Sequence, residues 1–365
     1  MPSTIRFLRQ YLRPIADATV AIETVYTRGD EELPATVFRP AGRPRALPGW
    51  VVLHGLTRPG RAHPSLQRFA RAVAGAGNIV LVPEIPEWRD LRVAPSITIP
   101  TIRHAVHALQ RRADVRHEHA GLFGFSFGAT QALIAAADGE TAGLLAGLAA
   151  WGGYSDLHRL FRFGLTGLHE LDGVTYSMEP DPYGCWIMAG NYLPRTPGYE
   201  NAEAVAGALH DLALEAGELR LFAWDPFFDA SKRRLRGSLA PGDRDLFDMI
   251  APETTSPRRD HGPVLELARR LADTALRIDP LLDPAPFLSS VRVPVLFAHG
   301  RDDRLIPFSE TIRLSRAVPP DRVRSTTVTS LFQHSGGTQS GLGALGIARE
   351  AARFGLLLRR VLRLV

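Results

Sequence analysis

A serine between two glycines has the type and spacing of a reactive group. Gly124-x-Ser126-x-Gly128 follows a short apolar run and precedes residues 129–137, an alanine-rich stretch with the composition of a helix. A strand that turns sharply into a helix strains the backbone at the turn and pushes the side chain there above the sheet edge. Glycines two positions before and after allow strand and helix to pass without a Cβ clash. The spacing therefore predicts an accessible serine that acts as a nucleophile.

A serine hydroxyl is a poor nucleophile at neutral pH and needs a base that is oriented by a third group. The strand, turn and helix around Ser126 resemble the nucleophile elbow of the α/β-hydrolase superfamily, in which serine, acid and histidine follow in that chain order. Residues 300–307, Gly-Arg-Asp-Asp-Arg-Leu-Ile-Pro, are similar to the acid loop of that family. Their register selects Asp303 as the acid, with Asp302 as the alternative. His334, in a loop of small residues after the last expected strand, is the base that the resemblance implies.

The resemblance also implies an oxyanion hole of two backbone N–H groups. One is the N–H of Phe127, directly after the serine. The other is the N–H of Leu56, because residues 53–57, Leu-His-Gly-Leu-Thr, look like the His-Gly-x loop of the family. In that loop we expect His54 to shape the backbone rather than to act as an acid or base.

The elements that must position these residues alternate between strand and helix, which predicts an α/β fold: a mostly parallel sheet with helices on both faces. The first two strands are expected to be antiparallel edge strands. Besides the strand before Ser126, the expected strands are 20–26, 34–40, 48–55, 79–85, 142–150, 291–300 and 325–332. Besides the helix after Ser126, the expected helices are 7–16, 65–77, 98–112, 309–317 and 345–364.

The alternation is interrupted between residues 155 and 285, which are rich in aromatic residues and proline. We interpret residues 1–154 and 286–365 as the catalytic α/β-hydrolase core and residues 155–285 as an inserted, largely helical cap. The irregular loop 178–184 is expected near the entrance of the site. Because a cap must turn apolar surface towards the serine, we expect a preference for neutral or apolar acyl groups.

Composition narrows the remaining possibilities. Of the 365 residues, 45% are hydrophobic and 22% are charged, which is ordinary for a globular protein. The sequence has no apolar run long enough for a membrane span or a secretory signal. We therefore expect a cytoplasmic protein without stable membrane insertion. Cys185 stands alone, which fits a reducing compartment. The formal net charge of +5 comes almost entirely from arginine. The basic residues are scattered among acids, apart from the runs 232–236 and 359–363, so nucleic-acid binding is not expected.

The resulting hypothesis is a serine hydrolase that cleaves a carboxylic ester with a small or medium apolar acyl group through an acyl-enzyme on Ser126. Its partner would be a small-molecule ester, and neither a cofactor nor a metal ion is implied. An acyltransferase, a thioesterase or a lactonase with the same triad remains an alternative, because a fold does not determine a reaction. A non-catalytic small-molecule-binding protein on this scaffold is a further alternative.

Overall fold

The computed structural model describes residues 3–42, 46–116, 119–256, 261–331 and 344–365. The strands are β1 Thr19–Arg28, β2 Glu31–Pro40, β3 Gly49–Leu53, β4 Ile79–Pro83, β5 Ala120–Phe125, β6 Leu145–Trp151, β7 Leu168–Leu171, β8 Val174–Ser177, β9 Val295–Gly300 and β10 Val323–Thr329. The helices before β6 are α1 Ser3–Leu12, α2 Pro64–Gly75, α3 Pro86–Arg89, α4 Pro95–Gln110, α5 Phe127–Ala137 and α6 Gly139–Ala142. The later helices are α7 Leu157–Thr166, α8 Tyr183–Tyr192, α9 Glu203–Leu219, α10 Asp229–Ser238, α11 Arg244–Ile250, α12 His261–Ile278, α13 Ala285–Leu288, α14 Phe308–Ala317 and α15 Ala344–Val361.

An eight-stranded sheet in the order β1-β2-β4-β3-β5-β6-β9-β10 organises the fold. β1 and β2 pair antiparallel, β2 pairs antiparallel with β4, and the remaining neighbours are parallel. The mostly parallel sheet and the antiparallel pairing of the first two strands are confirmed, but β1 alone of these two is an edge strand, because β2 also pairs with β4. Because parallel strands end at the same edge, the loops after β3, β5 and β9 meet there.

Alternating side chains of the central strands divide the core between the two faces of the sheet. Trp50 and Val52 of β3 pack with Phe69 of α2 in a cluster that also includes side chains of α1 and α15. Val51 and Leu53 belong to a second cluster, which contains side chains of α4, α5 and α14. Helices therefore cover both faces, as the alternation of strands and helices predicts.

Several element ends differ from the sequence-based expectation, and prolines explain two of them. α1 covers Ser3–Leu12 rather than residues 7–16, because Pro14 disfavours helical backbone at the residue before it. β9 begins at Val295 rather than at residue 291, since Pro294 has no N–H to donate to a neighbouring strand.

The chain between β6 and β9 is mostly helical, as expected. It also contains a hairpin that the sequence analysis did not predict, in which β7 pairs antiparallel with β8. The beginning of this segment is tied to α14 by Glu310, which is 1% exposed. The Glu310 carboxylate accepts hydrogen bonds from Ser155 N at 3.0 Å, Ser155 Oγ at 2.6 Å and Arg159 Nε at 2.8 Å.

Candidate active site

The predicted nucleophile lies at a strained turn. Ser126 has φ 55° and ψ −129°, a backbone conformation that non-glycine residues rarely adopt. Its N–H donates to Trp151 O at 2.8 Å, and its carbonyl accepts from Ala129 N at 2.9 Å. The turn is thus fixed by the neighbouring strand on one side and by α5 on the other. Phe127 begins α5, and the first N–H groups of a helix have no intrahelical acceptor.

The two glycines that flank Ser126 serve different contacts. A Cβ atom on Gly124 would collide with Gly128 O and would lie 2.6 Å from Ala129 Cα, so this glycine permits the close passage of strand and helix. A Cβ atom on Gly128 would instead collide with His54 O. The second glycine therefore brings α5 against the loop that follows β3.

The loop after β3 lies directly beside the serine. A Cβ atom on Gly55 would be 3.2 Å from Ser126 Cβ and 3.5 Å from Ser126 Oγ. Leu56 lines the same pocket as Ser126 and Phe127. The two predicted oxyanion donors, Phe127 and Leu56, therefore belong to residues that flank one pocket.

His54 is buried and holds this loop in shape. Its Nδ1 lies 2.7 Å from Gly55 O, and its Nε2 accepts from Ile85 N at 3.3 Å. These contacts fit the neutral tautomer with the proton on Nδ1. Burial lowers the pKa of His54 to about 4, so the ring stays neutral near pH 7. The geometry agrees with a loop-shaping role.

Asp303, rather than Asp302, is directed into the protein. Asp303 is 1% exposed, and its Oδ1 accepts from Leu305 N at 2.9 Å and Ile306 N at 3.0 Å. Asp302 is exposed at the surface. Leu305 and Ile306 line the pocket that contains Ser126, so the carboxylate selected by the motif register is held by a loop of the same pocket.

His299 is a buried partner of Asp303 that the sequence analysis missed. Its Nε2 lies 3.3 Å from Asp303 Oδ2 and 2.8 Å from Ile306 O, while its Nδ1 lies 2.6 Å from Thr311 Oγ1. These contacts fix the acid loop from the strand side. The sequence does contain a signal for this contact, namely a histidine near the end of the otherwise apolar strand that precedes the acid loop.

The predicted base, His334, lies outside the described residues. The chain that leads to it leaves β10 beside the acid loop, because Arg301 N donates to Thr329 O at 2.9 Å. Ser330 N donates to Glu350 Oε2 of α15 at 3.1 Å. His334 therefore stays a prediction from the sequence.

The pocket that Ser126 lines comprises about 680 Å³ of empty space, which includes space open to solvent. Most of its walls come from the segment between β6 and β9. Tyr183 and Gly184, which the sequence analysis placed in an irregular loop, are the first residues of α8 and line the pocket. Asp181, which precedes α8, also lines this mainly apolar pocket, and its Oδ1 accepts from Tyr183 N at 3.0 Å. The apolar side chains of α7 and α8 that line the pocket are Leu157, Leu160, Phe161, Ile187 and Met188.

Comparison with solved structures supports the fold. The chain is similar to Pyrococcus horikoshii acylaminoacyl peptidase, with a TM-score of 0.50 and 12% identity over 96% of this chain and 42% of that one. It is also similar to the esterase Est22, with a TM-score of 0.50 and 14% identity over 98% of this chain and 86% of that one. The chain thus spans less than half the length of the peptidase. At these identities the similarity shows a common fold, and the α/β-hydrolase fold expected from the sequence is confirmed.

Other comparisons give no further identification. No protein-family model matches the sequence. No curated protein matches it either. Among the described helices, none combines the length and apolar character needed to cross a membrane.

Proposed function

We propose that this chain, which has the α/β-hydrolase fold, is a serine hydrolase that cleaves carboxylic esters. Ser126 Oγ attacks the ester carbonyl while His334 takes the hydroxyl proton, and Asp303 stabilises the resulting imidazolium. The N–H groups of Phe127 and Leu56 hold the oxyanion of the tetrahedral intermediate. Protonation by His334 releases the alcohol, and water then hydrolyses the acyl-enzyme with His334 again as the base.

The observation that carries this proposal is the strained backbone of Ser126, a residue that lines a pocket. Positive φ at a non-glycine residue is unfavourable and persists only where the surrounding structure imposes it. Here the hydrogen bond to Trp151 O and the start of α5 impose it. The result is a serine that lines an apolar pocket beside a backbone loop, which supports a role as the nucleophile of acyl transfer.

The lining of the pocket favours an apolar acyl group. Leu157, Leu160 and Phe161 of α7 and Met188 of α8 share the pocket with Ser126. Burial of methylene groups against such side chains stabilises the bound substrate. We therefore propose small or medium apolar acyl esters as the substrate class, with the segment between β6 and β9 acting as a cap over the serine.

Labelling with a fluorophosphonate tests the nucleophile directly. We expect the parent protein to be labelled and Ser126→Ala to be unlabelled, with kcat for p-nitrophenyl butyrate lowered by about 10⁴-fold or more. Ser65→Ala removes an exposed hydroxyl of α2 and is the matched control, which should keep both labelling and activity. Absence of labelling in folded parent protein would instead favour a non-catalytic binding protein.

A further inference from the structure

The helices on one face of the sheet carry an unusual concentration of positive charge. α1, α2 and α15 together contain eight arginines and a single acidic residue, Glu350. Their positive charge exceeds the formal net charge of the whole chain, which is +5. α1 packs against both α2 and α15, so these helices form one continuous layer, which we call the arginine layer.

Most of this charge is not neutralised by neighbouring carboxylates. Within the part of the chain that the structure describes, Arg353 is the arginine of these helices that forms an ion pair, at 3.0 Å from Glu350. Arg6 and Arg68 donate instead to backbone carbonyls, at 2.8 Å and 2.6 Å. Arg359 and Arg360, near the end of α15, are exposed.

The other basic run of the sequence has the opposite environment. In α10, Lys232 lies 3.2 Å from Asp229, and Arg233 lies 2.6 Å from Glu253. Arg234 and Arg236 lie 3.6 Å and 2.9 Å from carboxylate oxygens of Glu215 and Asp248. Tertiary structure therefore neutralises residues 232–236 and leaves the arginine layer positive.

Exposed aliphatic side chains alternate with the arginines on the outer surface of the layer. Ile5, Arg9 and Leu12 follow one another at helical spacing on α1, and Leu12 is 66% exposed. Arg353, Leu356 and Arg360 do the same on α15, where Leu356 is 48% exposed. Such stripes suit an interface between water and lipid, in which aliphatic groups enter the headgroup region and arginines contact phosphates.

We propose that the arginine layer binds the surface of an anionic lipid membrane. A duplex nucleic acid would also neutralise the arginines, but its binding gains nothing from exposed leucine and isoleucine side chains. The proposed contact is peripheral, because the chain meets lipid through the outer stripes of folded helices. It is an additional property of the protein and does not depend on the hydrolase activity.

Vesicle sedimentation tests the proposal with the full chain. We expect binding to phosphatidylcholine vesicles in which half of the lipid is phosphatidylglycerol, and little binding to pure phosphatidylcholine. Raising the NaCl concentration should release the protein, because salt screens the attraction. Since each basic residue near an anionic surface strengthens partitioning by about fivefold, Arg359→Gln/Arg360→Gln should weaken it by about twenty-five-fold.

Matched variants separate this proposal from non-specific attraction. Arg233→Gln/Arg234→Gln removes the same charge from α10, where both arginines are paired, and should change partitioning by less than about twofold. Leu356→Gln should weaken binding severalfold without a change in net charge. Equal losses in the α10 and α15 variants, equal binding to both vesicle types, or tighter binding to duplex DNA than to anionic vesicles at the same salt concentration would each overturn the proposal. The altered side chains are exposed, so thermal unfolding should report intact folding in every variant.

Discussion

Burial distinguishes the two adjacent aspartates of the acid loop. Asp303 is enclosed and receives two backbone N–H bonds, whereas Asp302 is exposed. A carboxylate that orients the base must be held in one position. The structure thus adds an independent argument to the motif register, which had left Asp302 as the alternative.

Exchange of each carboxylate for an amide tests this distinction. Asp303→Asn should lower kcat by about 10⁴-fold, because an amide fixes the wrong tautomer of the base and does not balance its charge. Asp302→Asn, the matched control one residue away, should change kcat by less than about twofold. Steady-state kinetics on a p-nitrophenyl ester decides the matter, and a larger loss for Asp302→Asn would assign the acid role to that residue.

His54 should make the stability of the protein depend on pH. Its pKa of about 4 in the folded state lies below the ordinary value of 6.5, because burial disfavours the charged ring. As the pH falls below 6.5 the unfolded chain binds a proton that the folded chain does not yet accept, so folding is progressively destabilised until about pH 4. The loss amounts to about 3 kcal/mol at most.

Urea unfolding across this pH range measures the effect. We expect His54→Asn to be less stable than the parent near pH 7, since the contacts to Gly55 and Ile85 are altered. The variant should nevertheless lose less stability than the parent between about pH 6.5 and 4. An equally steep loss in both proteins would show that other groups cause the pH dependence.

At the scale of elements, the turn from β5 to α5 requires glycine at positions where backbone segments pass too close for a Cβ atom. Gly128 lies against the carbonyl of His54, where an added Cβ atom meets backbone that cannot rotate away. Gly207, within α9, has open space at the position of its missing Cβ atom. Replacement by alanine should therefore be unfavourable at Gly128 and favourable at Gly207.

Glycine-to-alanine substitutions at these positions should change stability in opposite directions. Gly128→Ala should destabilise the protein by about 1–3 kcal/mol, since the clash forces the loop after β3 and α5 apart. Gly207→Ala should stabilise it by up to about 1 kcal/mol, the difference in helix propensity. Denaturant unfolding gives both values, and a Gly128→Ala protein as stable as the parent would contradict the close packing at the elbow.

The hairpin of β7 and β8 shows why some elements escape sequence analysis. Its strands are short, and β8 is mostly exposed, so they lack the apolar pattern of buried strands. Docking on α14 holds them instead: Arg316 donates to both carboxylate oxygens of Asp172, and Arg313 donates to Glu170 O at 2.9 Å. Contacts between residues far apart in sequence leave no local periodicity to detect.

At the scale of the whole molecule, the pocket combines the sheet edge with the segment between β6 and β9. Ser126 and Leu56 come from loops at the sheet edge, while Leu160 and Met188 come from α7 and α8. If this segment acts as the proposed cap, its side chains determine how much of an acyl chain is buried. Substrate preference then depends on residues outside the predicted triad.

A series of p-nitrophenyl esters of increasing acyl length tests this arrangement. Each buried methylene contributes about 0.8 kcal/mol, so kcat/KM should rise about threefold to fourfold per CH₂ until the pocket is full. Leu160→Trp should shorten the preferred acyl chain by filling part of the pocket. Leu265→Trp, on the exposed side of α12, is the control and should leave the series unchanged. Equal rates for acetyl and butyryl esters in the parent would contradict an apolar acyl pocket.

The sequence by itself was sufficient for the main sheet and for the turn at Ser126. Both depend on local features: apolar runs give the buried strands, and glycines at fixed offsets allow the turn at Ser126. Backbone sterics and side-chain periodicity act over a few residues, so they can be inferred from adjacent letters. Asp303 and His334 were selected instead by the resemblance of their loops to those of the α/β-hydrolase superfamily, and His334 lies outside the described residues.

Only the tertiary structure decided which side chains surround the serine and which charges remain unpaired. The pocket contacts of Leu160 and Met188 and the contact of His299 with Asp303 join separate elements. The same holds for charge, because carboxylates from other parts of the chain pair with α10 and leave Arg359 and Arg360 unpaired within the described structure. Packing and electrostatics depend on distances in space. For residues far apart in the chain, only the fold sets those distances.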